Sequence, residues 1–178
     1  CRKGCPVEID IPAFIQHIKN GDLDASIAKI KEVNALPAVC GRVCPQEEQC
    51  EKYCVLAKKG EAVAIGRLER YVADTSRQKG EVVEALTYSA DAQKVAVIGS
   101  GPAGLSVAGD LAKKGYQVTI YEALHLPGGV LMYGIPEFRL PKDEVVQVEI
   151  NNLRKLGVKI IVNAVIGSTF TVDELLEE

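Results

Sequence analysis

Lys94-Val-Ala-Val-Ile-Gly-Ser-Gly-Pro-Ala-Gly104 decides how the second part of this chain folds. Lys94–Ile98 is a short apolar, β-branched run, the pattern of a buried strand. Gly99, Gly101 and Gly104 follow at G-x-G-x-x-G spacing, and a helical pattern runs from there through Lys114. Gln117-Val-Thr-Ile-Tyr121 reads as a second strand and ends on Glu122. Strand, glycine turn, helix, strand and acid together open a Rossmann βαβ unit, a far stronger signal than the glycines alone. Gly99 permits the tight turn. Gly101 lets a pyrophosphate approach the backbone at the helix N-terminus, and Gly104 lets the helix pack closely on the strand. Ser100, Pro102 and Ala103 complete the loop. Glu122 reads as an acceptor for ribose hydroxyls or as a solvated charge at a strand end. The fingerprint by itself does not separate FAD from NAD.

Working outward, Pro127-Gly-Gly-Val-Leu-Met-Tyr-Gly-Ile-Pro-Glu-Phe-Arg-Leu-Pro-Lys142 holds three glycines and three prolines, so no regular element is expected there. A rigid, glycine-rich loop just after a dinucleotide fingerprint suits close passage past a large planar cofactor, and Gly128, Gly129 and Val130 are its expected contacts. Arg139 reads as a partner for a phosphate or a flavin edge, or as a surface arginine. Beyond it, Val145–Leu156 is an expected helix stopped by Gly157, and Val158–Val162 a further strand. Thr171 and Glu174 form a capping box that should open another helix. The isolated His17 and His125 read as surface or core residues.

Toward the start of the chain the composition changes. All six cysteines lie between Cys1 and Cys54. Cys1-Arg-Lys-Gly-Cys-Pro6 and Cys40-Gly-Arg-Val-Cys-Pro45 share the form C-x₃-C-P, the tail of the bacterial ferredoxin run. In that run the cysteine before proline ligates the other cluster, which assigns Cys5 away from Cys1. Cys50 and Cys54 follow at another x₃ spacing, expected to put both thiolates on one helix face. A disulfide scaffold fits the even count but not a cytosolic flavin domain. Structural zinc prefers other spacings, and the two Cys-Pro steps favour iron. Around the cysteines, Pro12–Lys19 with Phe14, Ile15 and Ile18, a stretch capped by Asp22 with Leu23, Ile27 and Ile30, and Ala64–Lys79 with Ile65, Leu68 and Val72 read as short amphipathic helices. A domain this small needs a metal or disulfide staple.

The expected architecture is therefore an α-helical iron–sulfur domain over residues 1–85, followed over residues 86–178 by the first part of an α/β Rossmann-like FAD-binding domain. The chain is 47% apolar and 25% charged. That is the balance of a globular protein. A formal charge of −3 argues against nucleic acid as a partner. No apolar run is long enough to span a bilayer, so no membrane is expected, and with no secretory signal pattern the expected setting is cytoplasmic. The chain opens at Cys1 and its single methionine is Met132, as expected of a segment of a longer protein.

These motifs, with Cys1–Pro12, Cys40–Glu47, Ile65-Gly-Arg-Leu-Glu-Arg70 and Gly128–Lys142, make the sequence resemble the small (beta) subunit family of NADPH-dependent glutamate synthase. That family includes the large subunit of the NADH-dependent ferredoxin:NADP oxidoreductase and the N-terminal part of dihydropyrimidine dehydrogenase. The resemblance implies two [4Fe–4S] clusters in the helical domain, then FAD, with NADP(H) or NAD(H) held by an inserted domain whose own fingerprint is not among these residues. It implies that Cys5, Cys44, Cys50 and Cys54 hold one cluster. Cys1 belongs to the other, with two cysteines that lie upstream in the family and with Glu69, where relatives place a carboxylate or amide ligand. Cys40 is not implied as a ligand. The expected dinucleotide contacts are Gly99, Ser100, Gly101, Pro102, Ala103, Gly104, Glu122, Gly128, Gly129, Val130, Arg139 and Ile166. The implied activity is an oxidoreductase subunit passing electrons from NADPH to a glutamate-forming partner subunit. The electron-bifurcating ferredoxin:NADP enzyme is the alternative, and a non-catalytic electron-relay or docking module the alternative of another class. These residues alone are expected to be inactive with NADPH.

Overall fold

The computed structural model describes residues 1–80, 83 and 85–177. The chain divides into two compact units, Cys1–Glu81 and Val82–Glu178. Glu81, Val82 and Glu84, next to the expected boundary at residues 85–86, and Glu178 lie outside the described residues.

The first unit is helical. Helices α1 (Ile11–Lys19) and α2 (Leu23–Lys31) each start on an aspartate cap. Asp10 accepts from Ala13 N–H at 3.2 Å, and Asp22 from Ala25 N–H at 2.9 Å. Phe14 and Ile30 are almost fully buried, while Ile15, Ile18 and Leu23 are only half-buried. Ser26, wholly buried on α2, donates to the Phe14 carbonyl at 2.9 Å and so joins the two helices. Helix α3 (Pro37–Val43) has no counterpart among the helices expected from the sequence. It packs against α4 (Ile65–Gln78) with main chains in contact: a Cβ on Gly41 would lie 2.7 Å from the Arg70 nitrogen. Arg42, only 7% exposed, clamps the pair, donating to both Asp74 oxygens at 2.8 Å and to the Ala38 carbonyl at 3.0 Å.

The second unit is a parallel three-stranded sheet, ordered β1 (Lys94–Ile98), β2 (Gln117–Tyr121), β3 (Lys159–Ile161). The register pairs Ile98 with Tyr121 and Tyr121 with Ile161. Helix α5 (Pro102–Lys113) crosses from β1 to β2 and buries Leu105, Ala108 and Ala112 against the sheet residues Val118 and Ile120. The stretch expected to be irregular contains one helical turn, α6 (Val130–Tyr133), entered through the left-handed Gly129 (φ +53). A turn of π-helix at Lys142–Val146 leads into α7 (Gln147–Leu156), which ends on the left-handed Gly157. The capping box forms as expected and opens α8 (Val172–Glu177). Glu174 N–H donates to Thr171 Oγ1 at 3.2 Å, and Thr171 N–H to Glu174 Oε2 at 2.7 Å.

Candidate functional site

In the first unit all six cysteines are free thiols. Cys40 lies on α3 and Cys44 ends it, followed by the helix-stopping Pro45. Their thiols share a hydrogen bond. It holds Cys44 down to about 7 and, together with burial and the charge on Glu69, pushes Cys40 up. Cys50 and Cys54 do not share a helix. Residues 51–53 form a turn, because this polar stretch offers no apolar stripe to bury, and Cys54 caps the 3₁₀ turn Val55–Lys58. That position brings backbone donors to its sulfur. Val63 N–H at 3.5 Å and those of Leu56 and Ala57 all point at it and lower its pKa.

The Cys1–Cys5 loop lies against the Cys50–Cys54 turn. A Cβ on Gly4 would fall 2.5 Å from Tyr53 Cδ2 and 2.8 Å from the Gln49 carbonyl, and the Cys1 amine donates to the Tyr53 carbonyl at 3.3 Å. Burial pushes Cys50 up to about 11, helped by the neighbouring charges of Glu51, Cys5 and Glu69. Glu69 is 7% exposed, so it is not a solvated helix residue. Its Oε1 accepts from Asn34 Nδ2 at 2.9 Å. Gln46 and Glu51 dock the cysteine turn onto the start of α4. Glu51 accepts from Gly66 N–H at 3.1 Å, and Gln46 donates to the Cys40 carbonyl at 3.1 Å. Among the described residues no three His, Cys, Asp or Glu side chains close on a single metal ion. Soft thiols, backbone donors aimed at sulfur and one buried carboxylate make a donor set that suits an iron–sulfur cluster, whose ligands sit on separate corners.

In the second unit the glycine loop has the geometry of a pyrophosphate cradle. Gly99 turns through φ +93 with its N–H on the Tyr121 carbonyl at 2.8 Å. A Cβ on Gly104 would stand 2.0 Å from the Gly99 carbonyl oxygen, whereas one on Gly101 would meet nothing within 4 Å. The N-terminus of α5, with Pro102 at its first turn, therefore faces open space, as an anion site requires. Gly128 and Gly129 complete the cradle: a Cβ on Gly129 would lie 2.8 Å from Gly101 Cα.

Ser100 and Glu122 tie these loops together. Ser100 is wholly buried, and its N–H donates to Glu122 Oε2 at 2.8 Å. Its hydroxyl bonds the same oxygen and accepts from Gly128 N–H at 2.9 Å. Glu122 Oε1 accepts from Leu124 N–H at 2.9 Å. Burial pushes this carboxyl up, but the hydrogen bonds from Ser100, Leu124 and Ala123 outweigh it and hold the group below the usual carboxylate range. Glu122 is thus neither solvated nor free-standing. It is a charged knot joining β2 to the cradle, its carboxylate oxygens occupied by Ser100, Leu124 and Ala123. Pro102, Ala103 and Val130 are exposed around the cradle, and Ile166 is half-buried where it bridges Phe170. Arg139 is exposed, and its guanidinium makes no hydrogen bond or ion pair among the described residues. Lys142 holds the loop instead, donating to the carbonyls of Leu131, at 2.8 Å, and Ile135. His125 is not isolated: its Nδ1 lies 3.3 Å from the Tyr133 hydroxyl.

Comparison with known proteins agrees with both halves. Residues 1–81 match the family described as dihydropyrimidine dehydrogenase domain II, 4Fe-4S cluster, and residues 97–157 match the NAD(P)-binding Rossmann-like domain. The NAD-dependent dihydropyrimidine dehydrogenase subunit PreT of Escherichia coli (strain K12) is 42% identical over the whole of this chain and 43% of its own length. The chain is similar to iron–sulfur oxidoreductase subunits. Also similar are the NADP(+)-dependent formate dehydrogenase subunit beta of Moorella thermoacetica, 40% identical over 98% of this chain and 27% of its own, and the glutamate synthase [NADPH] small chain of Azospirillum brasilense, 37% identical over 98% and 36%. The chain thus spans less than half the length of these relatives. The chain joins a 4Fe–4S domain to an NAD(P)-binding Rossmann-like domain. No helix among the described residues is long and apolar enough to cross a membrane.

Proposed function

We propose that this chain is the electron-transfer part of a cytoplasmic flavoprotein subunit, which holds FAD on the glycine cradle and [4Fe–4S] clusters among the cysteines and Glu69. It passes electrons between NAD(P)H and a partner subunit. The observation that carries the reading is the pairing, in one chain, of six free thiols and a buried carboxylate with a helix N-terminus left open at Gly101. Bound FAD would supply the step from a hydride's two electrons to single electrons, which a pyridine nucleotide cannot make. The protein's part is to bind and orient. The backbone at Gly99–Gly104 meets the pyrophosphate, with Glu122 bracing it, and Gly128–Val130 meets the length of the cofactor. Arg139 and Ile166 flank it.

The ligand partition is the one the resemblance implies: Cys5, Cys44, Cys50 and Cys54 hold one cluster, and Cys1 and Glu69 serve the other. The burial of Glu69 on α4, at 7% exposure, supports a ligand role for its carboxylate. For the partner, a glutamate-forming subunit is the first reading. A dihydropyrimidine dehydrogenase subunit is the second, favoured by the 42% identity to PreT.

The test compares residues 1–178 with a protein carrying them at the full length of the family. The longer protein should show flavin absorbance and NADPH- or NADH-dependent dye reduction, and residues 1–178 should show no such reduction. A longer protein that retains NAD and no flavin would overturn the reading.

A further inference from the structure

Asn34 lies in the turn between α2 and α3, outside every motif that points to a cofactor, yet it is only 6% exposed. Both ends of its amide are used. Nδ2 donates to Glu69 Oε1 at 2.9 Å, across 35 residues of sequence. Oδ1 accepts from Leu36 N–H at 3.0 Å, which fixes the turn into α3, and from the Cys40 thiol at 3.6 Å. One buried side chain thus joins α4, where Glu69 sits, to α3, which carries Cys40 and Cys44. A glutamate side chain has three rotatable bonds, the last turning its carboxylate, so an oxygen aimed at one metal corner needs something to hold it. Outer-shell hydrogen bonds commonly orient ligating carboxylates in this way.

We propose that Asn34 is the positioning residue for Glu69: it clamps the carboxylate through Oε1 and so aims it at the cluster, and through Cys40 it holds the thiol that bonds Cys44. The proposal rests on the reading of Glu69 as a ligand. Asn34→Asp separates the two roles of the side chain. It preserves size and the acceptor for Leu36 N–H and the Cys40 thiol, and removes the donor to Glu69.

The experiment uses the full-length protein in four forms: wild type, Asn34→Asp, Glu69→Ala and the double variant. Iron content, EPR spectra and redox titration are read for each. The expected result is that Asn34→Asp changes the g values and midpoint potential of one cluster, the one changed by Glu69→Ala. In the Glu69→Ala background the same substitution should add nothing. If Asn34→Asp leaves that cluster as in wild type while Glu69→Ala alters it, Asn34 does not position Glu69 and the proposal fails alone. An equal effect of Asn34→Asp in both backgrounds, including loss of iron from both clusters, makes the residue structural and also overturns it. If Glu69→Ala itself keeps wild-type spectra, the ligand reading falls and takes the proposal with it.

Discussion

Cys50→Ala in the full-length protein is expected to remove roughly four iron atoms per chain, the content of one [4Fe–4S] cluster. Cys50 is 8% exposed and lies on the turn against which the Cys1–Cys5 loop packs. The EPR signal of the other cluster should survive. Cys40→Ala is the informative companion. The Cys40 thiol donates to Asn34 Oδ1 at 3.6 Å, and the resemblance does not imply it as a ligand. Iron content should stay near wild type in Cys40→Ala, with a change confined to the spectrum of the cluster bound by Cys44. Equal iron loss in both variants would make Cys40 a ligand and refute the partition.

Gly101→Val should abolish FAD retention while leaving the fold nearly intact. Its backbone, at φ −64 and ψ 178, suits any residue, and a Cβ there meets no protein atom within 4 Å. The cost to stability should be about 1 kcal/mol or less, that of a poorer helix cap. The space the side chain takes is the space a pyrophosphate needs. Gly104→Ala should do the opposite kind of damage. Its Cβ would stand 2.0 Å from the Gly99 carbonyl. Helix α5 must then move off β1 at roughly 3 kcal/mol, as in other overpacked sites. Thermal melting and flavin content, measured on both variants of the full-length protein, separate the two. If Gly101→Val binds flavin like wild type, the cradle is not the cofactor site.

The parts of this fold legible from sequence are those with local causes. Helices α1, α2 and α4 and the β1–α5–β2 unit announce themselves by periodicity, aspartate caps and the glycine fingerprint. Helix α3 does not. Pro37-Ala-Val-Cys-Gly-Arg-Val43 is short and carries a helix-weakening glycine. It is held by contacts distant in sequence: Gly41 on Arg70 and Arg42 on Asp74. The expected Cys50–Cys54 helix does not form, for the converse reason. The spacing allows it, but no apolar face is there to bury. The roles of Glu122 and Glu69 are half legible. Their positions in motifs mark them, but a knot with Ser100 and a clamp from Asn34 are tertiary facts that no spacing encodes.

The central claim, that flavin and iron–sulfur clusters work together through these residues, is tested most directly by anaerobic reduction of the full-length protein with NADPH and, separately, NADH. Visible absorbance and EPR are followed in the same samples. The account predicts that at least one nucleotide bleaches the flavin absorbance and raises the signal of a reduced [4Fe–4S] cluster, and that Cys50→Ala removes a cluster signal while the flavin still bleaches. A protein whose flavin is reduced while no electron reaches any cluster, or one that carries no flavin at all, would contradict it.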